Sequence, residues 1–229
     1  MQLEILYEDE DLAVIRKPAA LATESARVTQ PDVVSELTKR WASYVGLVHR
    51  LDQPVEGLLA VARTPGTARI LSGQLKNGEL KKSYLALAAD ERETEDKSIF
   101  GEDGFQLTDY LYKNPKTKRA EVTKADVAQA KRAVLKGKIL KQPQEGILLC
   151  RIEIGTGRFH QIRCQMSHAG MPLLGDYKYG TESSQLLTQK EGLKNLCLCA
   201  DRLSFRHPKT GDSMHFEIEP LWLRGGIGE

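Results

Sequence analysis

Apolar positions along the chain fall mostly into short runs separated by polar turns. Leu3 to Tyr7 and Leu12 to Arg16 are β-rich runs divided by Glu8-Asp9-Glu10-Asp11, the pattern of a hairpin. Lys17-Pro18 ends the second strand, because proline lacks the ladder donor and restricts the residue before it. Residues 19–30 are small and polar and read as a loop. Asp32 can cap a helix reaching about Trp41, with Val33, Val34, Leu37 and Trp41 on one side. Gly57 to Arg63 is a short apolar strand. Thr64-Pro65 then opens a helix with Ala68, Leu71 and Leu75 on one face, and Asn77-Gly78 closes it. Lys81 to Ala88 reads as another strand.

The stretch 89–131 is polar and mixed; Leu107 to Tyr112 is its one expected strand, and the rest is expected as loop. Ala133 to Leu140 and Gly146 to Ile154 read as a hairpin turned at Gln142-Pro143-Gln144-Glu145. After the Gly155-Thr156-Gly157 turn comes a helix with Phe159, Ile162, Met166 and Ala169 on one side, stopped by Gly170 and Pro172. Leu196 to Phe205 and Met214 to Ile218 form a closing hairpin turned at 207–211. Strands outnumber helices and are often hairpin-linked, which predicts an α+β protein on a largely antiparallel sheet. No repeat or linker divides it, so residues 1–229 are expected to form one catalytic domain.

With 41% hydrophobic and 28% charged residues, the chain has the balance of a globular protein. No apolar run reaches the ~18 residues of a membrane helix, and the first residues lack a signal-peptide pattern; a cytoplasmic location away from membranes is expected. Cys150, Cys164, Cys197 and Cys199 lie in apolar stretches and read as reduced, buried thiols. Neither they nor the five histidines show metal-ligand spacing, so no metal is expected. The net charge is only +2, but it is unevenly spread. Lys113 to Lys141 holds ten Lys or Arg against Glu121 and Asp126, whereas Asp90 to Asp96 is acidic. The basic segment fits either a phosphate-tracking surface, with Lys118 and Arg119 as candidate contacts, or a solvated lysine-rich hairpin.

The sequence has no P-loop, no His-Glu-x-x-His and no Gly-x-Ser-x-Gly, and position 160 is His where a dinucleotide fingerprint needs its third glycine. Two polar islands remain. His49-Arg50-Leu51-Asp52 interrupts apolar sequence, and Arg158-Phe159-His160-Gln161-Ile162-Arg163 follows the glycine turn. Ionisable groups at the edge of a core need partners, so each island fits either a polar ligand site or a structural ion-pair cluster.

These islands carry a family resemblance. His49-Arg50-Leu51-Asp52 followed by Gly57-Leu58-Leu59 resembles the catalytic motif of the RluA family of pseudouridine synthases. Gly157 to Arg163, continuing to Gly170-x-Pro172-Leu173-Leu174-Gly175-Asp176, is similar to its C-terminal motif. Lys82-Ser83-Tyr84-Leu85-Ala86 resembles its tyrosine strand, and Tyr7 through Pro18 its opening hairpin. The segments occur in the family's order from about residue 5 to 218. Two positions depart from the pattern: Gln53-Pro54-Val55-Glu56 stands where a small polar pair is usual, and Phe159 where Thr or Ser is common.

The resemblance implies a mixed, mostly antiparallel sheet with flanking helices and a central RNA-binding cleft, without the small N-terminal RNA-binding domain of many relatives. It implies uridine-to-pseudouridine isomerisation in structured RNA, ribosomal RNA ahead of transfer RNA, with the nucleotide flipped out and no cofactor. Asp52 is then the essential carboxylate, as nucleophile or base, Arg163 its orienting partner, and Tyr84 the residue stacking on uracil. Arg50 is a candidate for the RNA, and His49, His160 and Gln161 for substrate contacts or for shaping the motif loops. A monomer is expected. Two other functions stay open: a non-catalytic RNA-binding or ribosome-assembly module of the same fold, and a glycoside hydrolase, for which Glu56 is the nearest second acid.

Overall fold

The computed structural model describes residues 3–25, 30–93 and 104–224. The acidic run 90–96 is described only as far as residue 93, and of the loop 19–30 residues 26–29 lie outside the described residues.

β1 (Glu4–Glu8) and β2 (Leu12–Lys17) form the expected hairpin. Asp9 holds its turn by accepting the Asp11 and Leu12 N–H groups, each at 2.8 Å. α1 (Val33–Trp41) is capped by Asp32, with Ser35 answering reciprocally, and buries Val33 and Leu37. β3 (Gly46–Leu47) is short, and β4 (Glu56–Ala62) is buried at every position. α2 (Pro65–Asn77) starts from its Thr64 cap and ends where Gly78 turns left-handed, φ 75°. β5 (Lys81–Ala89) follows.

The region read as one strand among loops is a hairpin, β6 (Phe105–Asn114) and β7 (Arg119–Thr123). The sequence Arg-Ala-Glu-Val-Thr has too few apolar residues to announce β7; pairing with β6 makes it a strand. β8 (Lys131–Gln144) outruns its expected end, passing Pro143 through register shifts between Ile139 and Lys141 and between Lys141 and Gln144. The turn to β9 (Ile147–Ile154) is therefore at Glu145-Gly146, later than expected. α3 (Gln161–His168) begins after Phe159, which is thereby removed from the apolar helix face assigned to it. α4 (Glu182–Lys190) was not expected: its nine residues hold only two leucines, and its clearest signal is the Thr181–Ser184 capping box. β10 (Leu198–Arg206) and β11 (Ser213–Glu217) form the closing hairpin.

The chain is described as two compact units. The first comprises residues 1–83 and 199–220, the second 84–198 and 221–229. In the first, the strand order is β1-β2-β4-β10, with β3 on β4 and β11 on β10. β4 and β10 run parallel, while β1–β2, β2–β4, β3–β4 and β10–β11 run antiparallel. Leu12, Val14, Leu58, Ala60, Leu71, Leu203 and Phe205 build its core. β2 and β4 are buried on both faces, so they read as continuous apolar runs instead of alternating ones. Gly57 is required here: φ is 133°, and a Cβ would lie 2.5 Å from the Ala200 nitrogen on the parallel neighbour.

In the second unit the order is β5-β9-β8-β6-β7. Leu85, Leu87, Ile147, Leu149, Leu174 and Cys197 form one core cluster. A second cluster of Leu111, Ala120, Ala133 and Cys164 joins the β6–β7 hairpin to α3. The class is α+β with a mixed, mostly antiparallel sheet, as the patterning predicts.

Candidate active site and nucleic-acid interface

Asp52 lies half-buried in the irregular segment between β3 and β4, and this segment is fastened on both sides. Thr23 Oγ1 donates to the Leu51 carbonyl at 2.8 Å and accepts the Leu51 N–H at 3.2 Å. The Val55 N–H returns to the Asp52 carbonyl at 3.0 Å. From the end of β2, Lys17 reaches under the loop with 0% exposure. Its ammonium donates to the carbonyls of Leu21, Pro18 and Gln53 at 2.7, 2.9 and 3.1 Å. All three donors are thus used. Burial lowers the Lys17 pKa to about 8, against the attraction of the Asp52 and Glu56 carboxylates. Sequence reading missed both Lys17 and Thr23, since neither looks different from an ordinary strand-end lysine or loop threonine.

The other residues of the first island separate. Arg50 is exposed, its guanidinium 3.9 Å from Glu24. His49 is 7% exposed, and its Nε2 accepts the Ala60 N–H at 3.3 Å. Burial and then the charge of Lys82 hold it well below the usual histidine range, and it lies in the interior of the first unit. Glu56 is buried beside Arg16, with Oε2 3.6 Å from the guanidinium. Glu56 is therefore not a solvent-accessible second acid of the kind a glycosidase uses.

In the second unit, Tyr84 is buried within β5, and Arg163 projects from the first turn of α3 into a buried pair with Asp176. Arg163 Nε and Nη2 each donate to Asp176 at 2.6 Å. The remaining Asp176 capacity accepts the Lys178 and Tyr179 N–H groups, so one carboxylate fixes both the guanidinium and the 176–179 turn. Gln161 holds the glycine turn: its Oε1 accepts from Thr156 Oγ1 and the Arg158 N–H, and its Nε2 donates to the Val134 carbonyl. His160, at φ 50°, places Nδ1 2.7 Å from the Tyr179 hydroxyl. Burial, then Arg163, Lys178 and Lys113, push its pKa down to about 3. Gln161 and His160 accordingly shape the motif. Asp176 stood inside the resembling motif, but its role as the Arg163 partner is visible only in space.

The basic hairpin packs against this motif. The Tyr179 hydroxyl accepts the Ala120 N–H at 2.7 Å, and Cys164 Sγ donates to the Ala120 carbonyl at 3.3 Å. The Arg119 guanidinium lies 5.6 Å from the Tyr179 ring centroid, and that of Arg163 5.0 Å. Lys118 is exposed in the turn, its carbonyl accepting from Lys178 Nζ at 2.6 Å. Two features about 40 residues apart in sequence thus pack together, with Lys118 and Arg119 exposed beside them.

The four thiols are buried and unpaired by disulfides. Burial pushes Cys150 up to about 12 and Cys164 to about 11. Among the described residues, Asp9, Asp11 and His207 form one group with metal-ligand spacing. Asp9 is already engaged by Tyr7, the Asp11 and Leu12 N–H groups and His207, and Lys209 is 3.8 Å from Asp11. The group is a clasp between two hairpin turns. No helix among the described residues is long and apolar enough to cross a membrane.

The fold is that of the pseudouridine synthases. Over 97% of this chain and 90% of its own, human RNA pseudouridylate synthase domain containing 4 superposes with a TM-score of 0.74 at 20% identity. Residues 11–168 match the RNA pseudouridylate synthase family model, and the chain belongs to that family. It is 31% identical to tRNA pseudouridine synthase C of Pasteurella multocida, over 97% of this chain and 94% of that protein. It is 33% identical to ribosomal large subunit pseudouridine synthase C of Yersinia pestis, over 93% of this chain and 64% of that protein. Isomerisation of uridine in RNA is the activity this membership carries.

Proposed function

We propose that this protein flips a uridine out of a structured RNA and isomerises it with Asp52 as the essential carboxylate. The reaction breaks the C1′–N1 bond, turns the uracil and joins C1′ to C5; C5 loses a proton and N1 takes one up. Atoms balance without oxidant, reductant or energy donor, so the proposal invokes no cofactor. Flipping is needed because a stacked base hides these atoms. The observation that carries the Asp52 assignment is its fastening: a half-buried carboxylate on a segment tied by Thr23 and by the fully buried Lys17 ammonium. Asp52 serves as nucleophile or base at the ribose. Arg163, oriented by Asp176, is the cation the family resemblance assigns to it, and Tyr84 the ring that stacks on uracil. Arg50 and the hairpin residues Lys118 and Arg119 contact the RNA backbone.

Ribosomal RNA is the first substrate to test, in line with the Yersinia relative's name. Transfer RNA is the second reading, favoured by the Pasteurella relative. Wild type and Asp52→Asn are incubated with ribosomal and transfer RNA from cells lacking the gene, and pseudouridine is mapped by carbodiimide-blocked primer extension. New stops are expected with wild type only, on one of the two pools, while Asp52→Asn stays folded and binds. Turnover by Asp52→Asn would remove Asp52 from its role. No stops from a folded wild type that still binds RNA would return the non-catalytic RNA-binding reading.

A further inference from the structure

Phe159 is the exposed end of a stack of rings within the second unit. It leads into α3 and is 37% exposed, a large apolar side chain at the surface. One face of the ring lies on His160, with centroids 3.7 Å apart and planes 21° apart. His160 meets Tyr179 edge-on at 5.5 Å. Tyr179 is held in turn by the Ala120 N–H, and His160 by its bond to the Tyr179 hydroxyl. Phe159 is therefore backed by a rigid, neutral aromatic support.

Lys113 also lies over the Phe159 ring, its ammonium 4.6 Å from the centroid. A lysine is a flexible cover, and a cation over an exposed ring is a weaker contact than a stacked base. Around the stack lie Arg119, over Tyr179, and Lys178 at the Lys118 carbonyl, while Arg163 is buried against Asp176. Of the nearby acids, Asp176 is consumed by Arg163, and Glu121 accepts from Asn114 and Thr117 in the hairpin turn. A fixed ring rimmed by cations meets the two requirements of an unpaired nucleotide, a π face for the base and positive charge for the phosphate. Double-stranded RNA, with its bases stacked on one another, offers nothing to such a ring.

We propose that Phe159 is a stacking platform for an unpaired base of the bound RNA, other than the target uridine, and that Lys113 swings from the ring to the adjoining phosphate when the base arrives. The platform selects RNAs that offer an unpaired nucleotide besides the target uridine. This inference rests on the RNA-directed function proposed above.

The test titrates the whole chain with two probes, single-stranded decacytidylate, which has no uridine to react, and a ten-base-pair RNA duplex. Phe159→Leu keeps the apolar bulk and removes the π face. It is expected to weaken decacytidylate binding by about 5- to 100-fold and to leave the duplex and the salt slope unchanged. Phe159→Tyr is expected to bind like wild type, and the fluorescence of Phe159→Trp to be quenched by decacytidylate. Equal decacytidylate binding by wild type and Phe159→Leu, or an unchanged tryptophan signal at saturation, would overturn the platform and leave the RNA reading standing. Failure of wild type to bind either probe would overturn the RNA-binding role of this surface, and the platform with it.

Discussion

At the scale of single residues, the least expected feature is Lys17. Its fully buried ammonium replaces water with three carbonyls, one of them in the turn that carries Asp52. Burial depresses its pKa to about 8, so between about pH 8 and the unfolded value near 10.5 the unfolded chain binds the extra proton. Stability contributed by this group therefore rises with pH across that window, by up to about 3 kcal/mol. Lys17→Met removes the titration, and the difference between wild-type and variant unfolding free energies, followed by denaturant from pH 7 to 10.5, is expected to tilt accordingly. The same variant leaves the Gln53 carbonyl untied and is expected to lose at least about tenfold in turnover through a looser Asp52 segment. Flat pH dependence and full turnover together would count against Lys17 as the anchor. Asp176 is the corresponding support for Arg163. Asp176→Ala strands a buried guanidinium and is expected to lower stability by about 3 kcal/mol, checked by thermal unfolding.

At the scale of elements, most boundaries follow from local chemistry. Asp32 and Thr64 cap helices because their side chains reach the third backbone N–H, and the sequence shows both. Elements lacking such a signature escaped: β7 is a strand because β6 and the Tyr179 hydroxyl hold it, and α4 has no apolar stripe to reveal it. Phe159 was assigned to the buried side of a helix by its spacing from Ile162. The helix starts too late to include it, and the ring is displayed instead. Gly57 belongs to this scale as well. Its missing Cβ lets β4 approach β10 in parallel, so Gly57→Ala is expected to destabilise the first unit by about 2–4 kcal/mol, measured by chemical denaturation. A loss under about 1 kcal/mol would show that the strands can separate without cost.

At the scale of the whole molecule, charge is organised where net charge is not informative. A balance of +2 gives little reason to expect nucleic acid, yet the β6–β7 hairpin carries its cations onto the face of α3. Lys118→Ala with Arg119→Ala is expected to weaken RNA binding and to flatten the dependence of log K on log salt by about 1.5, as two phosphate contacts would. An unchanged slope in filter-binding titrations at several salt concentrations would leave the hairpin as a solvated surface.

The sequence by itself determined the α+β class, the main hairpins and two capped helices, because caps, turns and side-chain periodicity are local physical signals; Asp52, Tyr84 and Arg163 stand out in it only through the family resemblance. It also carried the family resemblance, since the motifs keep their order along the chain. Only the tertiary structure decided what supports those residues: Lys17 and Thr23 under the Asp52 segment, Asp176 on Arg163, His49 in the interior and Phe159 on a ring stack. Each of these depends on partners distant in sequence or on burial. Burial is a property of the packed chain: it makes one lysine a structural anchor and leaves another solvated, and no local pattern distinguishes them.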